Sequence, residues 1–100
     1  MNIQAMMKQA QKLQQDMMKT KEEINQKIFP GKYSSVEVEV NGKKELLKVT
    51  IDRDMEVNGK EDIEILEDMI VVAVNDALKK VDQETEEKMS KYGSGLSGLL

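Results

Sequence analysis

Residues 36–51 read VEVEVNGKKELLKVTI, and this stretch decides the fold because it joins two strand patterns through a turn signal. Valine alternates with glutamate in the first half, and Leu47, Val49 and Ile51 alternate with polar residues in the second. An Asn-Gly pair between two such runs is typical of a β-hairpin. The sheet is then either this hairpin alone or a three-stranded sheet, to which residues 29–35 add a short strand.

The register of this hairpin depends on the length of its loop. A two-residue loop sets Val38 opposite Glu45, whereas a four-residue loop over residues 41–44 sets Val38 opposite Leu47. Apolar residues stabilise a sheet when they lie opposite each other. We therefore expect the four-residue loop.

The segment that precedes the hairpin predicts a long amphipathic helix. It contains no Pro or Gly before Pro30, and it is rich in Gln, Lys and Met, which favour helix. At about 100° per residue, seven apolar residues form one stripe. They are Ile3, Met6, Ala10, Leu13, Met17, Ile24 and Ile28. We expect this stripe to be buried against the rest of the chain.

Three lysines lie on the opposite side of the same helix. Lys8, Lys12 and Lys19 fall within about 40° of one another and span about 16 Å at 1.5 Å per residue. A helix that is anchored by its apolar stripe would offer these cations to a partner outside the protein.

The region after the hairpin predicts a second long helix. Asn58 and Glu61 have the spacing of a capping box, and neither Gly nor Pro occurs in residues 60–92. Residues 69–74 are apolar on every side of this helix, which then needs cover on opposite sides. One alternative is a compact monomer in which the first helix lies across the second. We favour a symmetric homodimer, with an interface formed by Met69, Ile70, Val72, Ala73 and Val74.

Composition limits the chemistry that the chain can perform. With 100 residues it predicts a single α+β domain over residues 1–92, followed by a flexible Gly/Ser-rich tail over residues 93–100. The sequence contains no Cys and no His, so we expect no catalytic site, metal site, cofactor or small-molecule substrate. Asp52 and Asp54 are interpreted as turn-forming groups. No apolar run is long enough to cross a membrane, and the expected location is the cytoplasm.

Charge is distributed unevenly along the chain. The formal net charge is −4, yet residues 1–28 carry +2, residues 29–60 carry zero and residues 61–100 carry −6. A basic first helix and an acidic last helix are a cue for contact with a polyanion. The alternative is that both are solvated faces of the protein.

Three sequence motifs, in their order along the chain, carry a resemblance to a known family. They are MKQAQKL at residues 7–13, the strand ending VTID at residues 49–52, and LEDM at residues 66–69 followed by NDA at residues 75–77. Together they resemble the YbaB/EbfC family of bacterial nucleoid-associated proteins.

The resemblance implies both a fold and a function. It implies an α-β-β-β-α chain, a tweezer-like homodimer with projecting helices, and binding of double-stranded DNA with low sequence specificity. It also implies effects on DNA conformation, nucleoid organisation and gene expression, and it places Lys8 and Lys12 on a projecting arm. The alternative is a protein-interaction module that uses the Met-rich helix without contacting DNA.

Overall fold

The computed structural model describes residues 2–93 and has the expected α+β architecture with a three-stranded sheet. Of the tail predicted for residues 93–100, all but Gly93 lies outside the described residues. The elements are helix α1 (Ile3–Gln26), strands β1 (Ile28–Tyr33), β2 (Val36–Asn41) and β3 (Leu46–Ile51), helix α2 (Lys60–Met89), and a short 3-10 turn (Ser90–Tyr92).

The sheet is antiparallel in the order β1-β2-β3, but its hairpin register differs from both sequence-based alternatives. Val38 lies opposite Val49 for two reasons: the Asn41 N–H donates to the Glu45 carbonyl oxygen at 3.1 Å, which closes the loop around residues 42–44, and β3 contains a bulge. The bulge sets Leu46 and Leu47 together opposite Val40, while Glu39 pairs with Lys48. An apolar pattern favours apolar pairing, but a shift of two residues preserves the pattern, so the pattern does not distinguish between these two registers.

The core lies between one face of the sheet and one side of α2. Val36, Val38 and Val40 are buried from β2, together with Ala73, Ala77 and Val81 from α2. Helix α2 packs chiefly on β1 and β2, and it approaches β1 closely at Gly31. A Cβ atom at Gly31 would lie 2.7 Å from the Cβ of Ala77 and nearer still to the carbonyl oxygen of Ala73.

The helix starts follow different capping rules. At α1, the side-chain oxygen of Asn2 accepts the backbone N–H groups of Gln4 at 3.0 Å and Ala5 at 3.4 Å. At α2, the capping box predicted from Asn58 is wrong: the N-cap is Gly59, and no side chain bonds to the helix start. Instead, the Asn58 N–H donates to Oδ2 of Asp62 at 2.8 Å.

The two helices meet only at their carboxyl-terminal halves. Lys27 forms an ion pair with Glu84, and Thr20 and Tyr92 share a hydrogen bond of 2.9 Å between their hydroxyl groups. The helices are therefore antiparallel, so their amino-terminal halves extend to opposite ends of a molecule that measures 73 × 20 × 14 Å. Neither helix in the described chain has the length and apolar character needed to span a membrane.

Candidate nucleic-acid interface

The amino-terminal part of α1 projects from the body as an arm, which we define as residues 3–16. Every residue of the arm is exposed, and the first residues of α1 that pack on the body are Met17, Thr20 and Ile24. The arm projects because Tyr92, near the end of the described chain, meets α1 at Thr20, and the residues of α1 that precede Met17 are all exposed. Its asparagine cap stabilises the free end of the helix.

The lysine row, defined as Lys8, Lys12 and Lys19, lies exposed along α1. None of the three forms an ion pair with any residue in the range 2–93. Lys8 and Lys12 lie on the arm, whereas Lys19 lies at its base, beside the carboxylates of Asp16 and Glu23. Lys91 lines the same surface depression, so the base of the arm carries charges of both signs.

Five other lysines form ion pairs with carboxylates of the body. Lys27 pairs with Glu84, and its Nζ atom also lies 5.5 Å from the centroid of the Phe29 ring. The hydrogen bond from Lys27 lowers the pKa of Glu84 below its ordinary value. The remaining ion pairs of the described chain are Lys32–Glu37, Lys44–Asp82, Lys80–Asp76 and Lys88–Glu84.

The apolar stripe of α1 is the main correction to the sequence analysis. Ile24 is buried and Met17 is partly buried, as expected, but Ile3 is 71% exposed and Leu13 is 45% exposed. Ala10 and Met6 are exposed as well, and Ile28 belongs to β1. The stripe is anchored at one end only, because α2 ends before it can cover the arm.

The residues predicted for a dimer interface occupy three different environments. Ala73 is fully buried against β1 of its own chain, so it has no surface left for a partner. Met69, Ile70 and Val74 are partly buried beside the core. Val72 is 43% exposed on α2.

Strand β3 contributes an apolar surface that the sequence analysis did not assign. Leu46, Leu47 and Val49 are exposed, because α2 covers β1 and β2 but leaves β3 at the open edge. Ile63 and Ile65 are exposed on the amino-terminal half of α2. The alternation of β3 was visible in the sequence, but it did not show that a single helix is too narrow for three strands.

The basic and acidic segments of the sequence lie at different ends of the folded chain. The lysine row lies toward one end of the long axis, and the amino-terminal half of α2 lies toward the other. That half carries Glu61, Asp62, Glu64, Glu67 and Asp68. The described chain is therefore more positive toward the α1 end than toward the start of α2.

Comparison with known proteins identifies the family. A family model described as the YbaB/EbfC DNA-binding family matches residues 1–96. A nucleoid-associated protein of Lactococcus lactis strain MG1363 is 46% identical over 98 residues, which cover 96% of this chain and 97% of that protein. A second, from Ligilactobacillus salivarius, is 39% identical over 101 residues, which cover 99% of this chain and 95% of the relative.

A third nucleoid-associated protein, from Clostridium novyi, is 44% identical over 99 residues, covering 97% of this chain and 85% of that protein. The resemblance noted from the three sequence motifs is confirmed. The chain belongs to the YbaB/EbfC family of nucleoid-associated DNA-binding proteins.

Proposed function

We propose that this protein binds double-stranded DNA through Lys8, Lys12 and Lys19, with little sequence preference, as a homodimer that presents two α1 helices. The observation that carries the proposal is that Lys8 and Lys12 lie on a helical arm whose residues are all exposed, with Lys19 at its base. The three lysines lie on one face of α1 and form no ion pair with any residue in the range 2–93. Other lysines that form no such pair, among them Lys48, Lys60 and Lys79, lie on the body. Because the net charge is −4, attraction to DNA has to come from such a local concentration of cations.

The chemistry of the row supports weak sequence selectivity. Lysine is a flexible point charge, whereas bidentate recognition of guanine is best performed by arginine, and neither α1 nor α2 contains arginine. Helix α1 also contains no aromatic residue on which unpaired bases could stack. These features favour contacts with the phosphates of a duplex over direct recognition of bases.

The apolar surface that β3 and α2 leave exposed supports a dimer. Val49 on the core face of β3 is 39% exposed, and Val72 on α2 is 43% exposed. A second copy that covers this surface would remove both from water and shield the partly buried Met69, Ile70 and Val74. Two-fold symmetry would then present two lysine rows to one duplex.

This proposal assigns the protein to the bacterial nucleoid. Two arms on one duplex can change its path or its local shape, which gives a route to altered nucleoid organisation and gene expression.

The test replaces Lys8, Lys12 and Lys19 with Gln in one variant. Glutamine has nearly the same helix propensity, and the three side chains are exposed, so the fold is expected to survive. Gel-shift titrations with a random-sequence duplex at several salt concentrations should show weaker binding. The slope of log affinity against log salt should fall by about 0.9 for each phosphate contact that is lost, with up to six contacts in a dimer.

The matched control changes Lys48, Lys60 and Lys79 to Gln, which removes the same charge from exposed positions away from the arm. This control should retain most of the affinity and the parent's salt slope. Equal binding by the parent and the Lys8, Lys12 and Lys19 variant would contradict the proposal. Equal loss in both variants would show that total charge matters and that the row does not.

The exposed stripe favours a second candidate function, a protein-interaction module without DNA contact. Ile3, Met6 and Leu13 present a Met-rich apolar surface on a projecting helix, which suits docking of a partner helix. Under this alternative, Leu13→Gln would abolish binding to the partner, while the lysine variant would retain it.

A further inference from the structure

The turn between β2 and β3 presses against the last turn of α1. A Cβ atom at Gly42 would lie 2.8 Å from the Cα of Asn25 and closer still to the carbonyl group of Ile24. These are backbone atoms, which cannot rotate away as the end of a flexible side chain can. Only glycine allows this approach of two backbones.

The turn that carries Gly42 is itself held firmly. Oδ1 of Asn41 accepts the backbone N–H groups of Lys43 at 2.9 Å and Glu45 at 3.0 Å. Lys44 adopts a left-handed conformation with φ 64° and forms an ion pair with Asp82 of α2. The turn is therefore fixed to both the sheet and α2, and it acts as a stop for the end of α1.

The arm amplifies any movement at its base. Thr20, which bonds to Tyr92, is a natural pivot, with Ile24 about 6 Å to one side and Lys8 about 18 Å to the other, at 1.5 Å per residue. A methyl group at Gly42 would require the turn and α1 to separate by ~1 Å or more. Lys8 would then move by about 3 Å or more, close to the 3.4 Å rise of one base pair.

We infer that Gly42 is a positioning residue that sets the direction of the α1 arm relative to the body. Its consequence for DNA binding rests on the proposed function, because the arm carries Lys8 and Lys12. The direction of the arm does not depend on DNA and can be measured without it.

The experiment compares the parent with Gly42→Ala by residual dipolar couplings of the backbone N–H groups, which report the orientation of α1 relative to α2 and the sheet. A shift of ~1 Å at a lever of about 6 Å predicts that α1 tilts by about 10° or more. Since Gly42→Ala retains every charge, a several-fold loss of affinity for a random duplex would reflect misplaced lysines. Lys43→Ala, in the same turn, is the control and should leave the orientation of α1 unchanged.

A second variant covers the case in which Gly42→Ala does not fold. Asn41→Ala adds no bulk but releases the turn, so the couplings of α1 should shrink relative to those of α2 as the arm becomes less ordered. An α1 orientation and order in the folded variants equal to those of the parent would overturn the inference. If α1 tilts as expected while the parent does not bind DNA, the positioning role stands and the proposed function fails.

Discussion

Single residues decide how closely the elements of this protein approach one another. Gly31 and Gly42 lie at the two sites where a strand or turn meets the backbone of a helix, and a Cβ atom at either site would overlap backbone atoms. Asp76 closes the free edge of β1, where its Oδ2 accepts the Lys32 N–H at 3.1 Å. Lys80 adds a bond of 2.8 Å from its Nζ to the carbonyl oxygen of Pro30.

Asp76 predicts a pH dependence of stability. The hydrogen bond from the Lys32 backbone holds the pKa of Asp76 below its ordinary value, with a smaller contribution from Lys80. A carboxylate with a lowered folded pKa stabilises the fold above its unfolded pKa, about pH 4, and this stabilisation is lost as the pH falls through the folded pKa. Asp76→Asn should therefore lower stability at pH 7 and leave it little changed near pH 2.

Chemical unfolding of parent and variant at several pH values measures this difference. Asp68→Asn, an exposed carboxylate that forms no ion pair among residues 2–93, is the matched control. A stability difference between parent and Asp76→Asn that persists unchanged at pH 2 would show that the charge of Asp76 plays no part.

At the scale of elements, the two halves of α2 differ in how far their apolar residues are buried. Its carboxyl-terminal half is buried under the sheet through Ala77 and Val81, while its amino-terminal half exposes Ile63, Ile65 and Val72. The apolar run at residues 69–74 lies where the two halves meet. Within its own chain Ala73 is buried, whereas Val71 and Val72 remain exposed.

Val72→Asp is predicted to dissociate the proposed dimer without unfolding the chain. Val72 is exposed within its own chain, so the fold tolerates a carboxylate there, but burial of that charge in an interface is unfavourable. Val74→Asp should also break the dimer, but it would destabilise the fold as well, because Val74 packs against the core. Sedimentation should show a monomer for Val72→Asp and a dimer for the parent.

Asn75→Asp adds the same charge to an exposed position of α2 and is expected to leave the dimer intact. Circular dichroism should show equal helix content in all three proteins. A parent that sediments as a monomer at micromolar concentration would contradict the paired-arm arrangement altogether.

At the scale of the whole molecule, the offset between the helices produces both the elongated shape and the separation of charge. Helices α1 and α2 lie side by side only near their carboxyl-terminal ends, where Lys27 pairs with Glu84 and Thr20 bonds to Tyr92. Each helix therefore extends past the other. The long dimension of 73 Å follows from this offset. It also separates the lysine row from the acidic start of α2.

Deletion of residues 2–16 should weaken DNA binding and leave the body folded. The deleted residues are exposed, and the buried core of the described chain begins at Ile24. The thermal midpoint should therefore change little, while affinity for a duplex should fall about as far as in a variant in which only Lys8 and Lys12 are replaced with Gln, because Lys19 is retained. Affinity of the shortened chain equal to that of the parent would show that the interface lies on the body.

The sequence by itself determined the element types, their order and the sorting of charge on α1. These properties are local, because helical and strand periods are properties of neighbouring residues, and Gly and Pro mark the ends of the patterned segments. The three lysines could be placed on one face of α1 for the same reason. The family motifs were also visible in short segments.

Only the tertiary structure decided which apolar surfaces are covered. Periodicity shows that Leu13 and Ile24 share a face of α1, but the end point of α2 decides that Ile24 is buried and Leu13 is exposed. The bulge at Leu46 and Leu47 and the burial of Ala73 under Gly31 likewise depend on contacts between distant segments. Burial is a property of the packed chain, and an amphipathic pattern specifies a face without specifying what covers it.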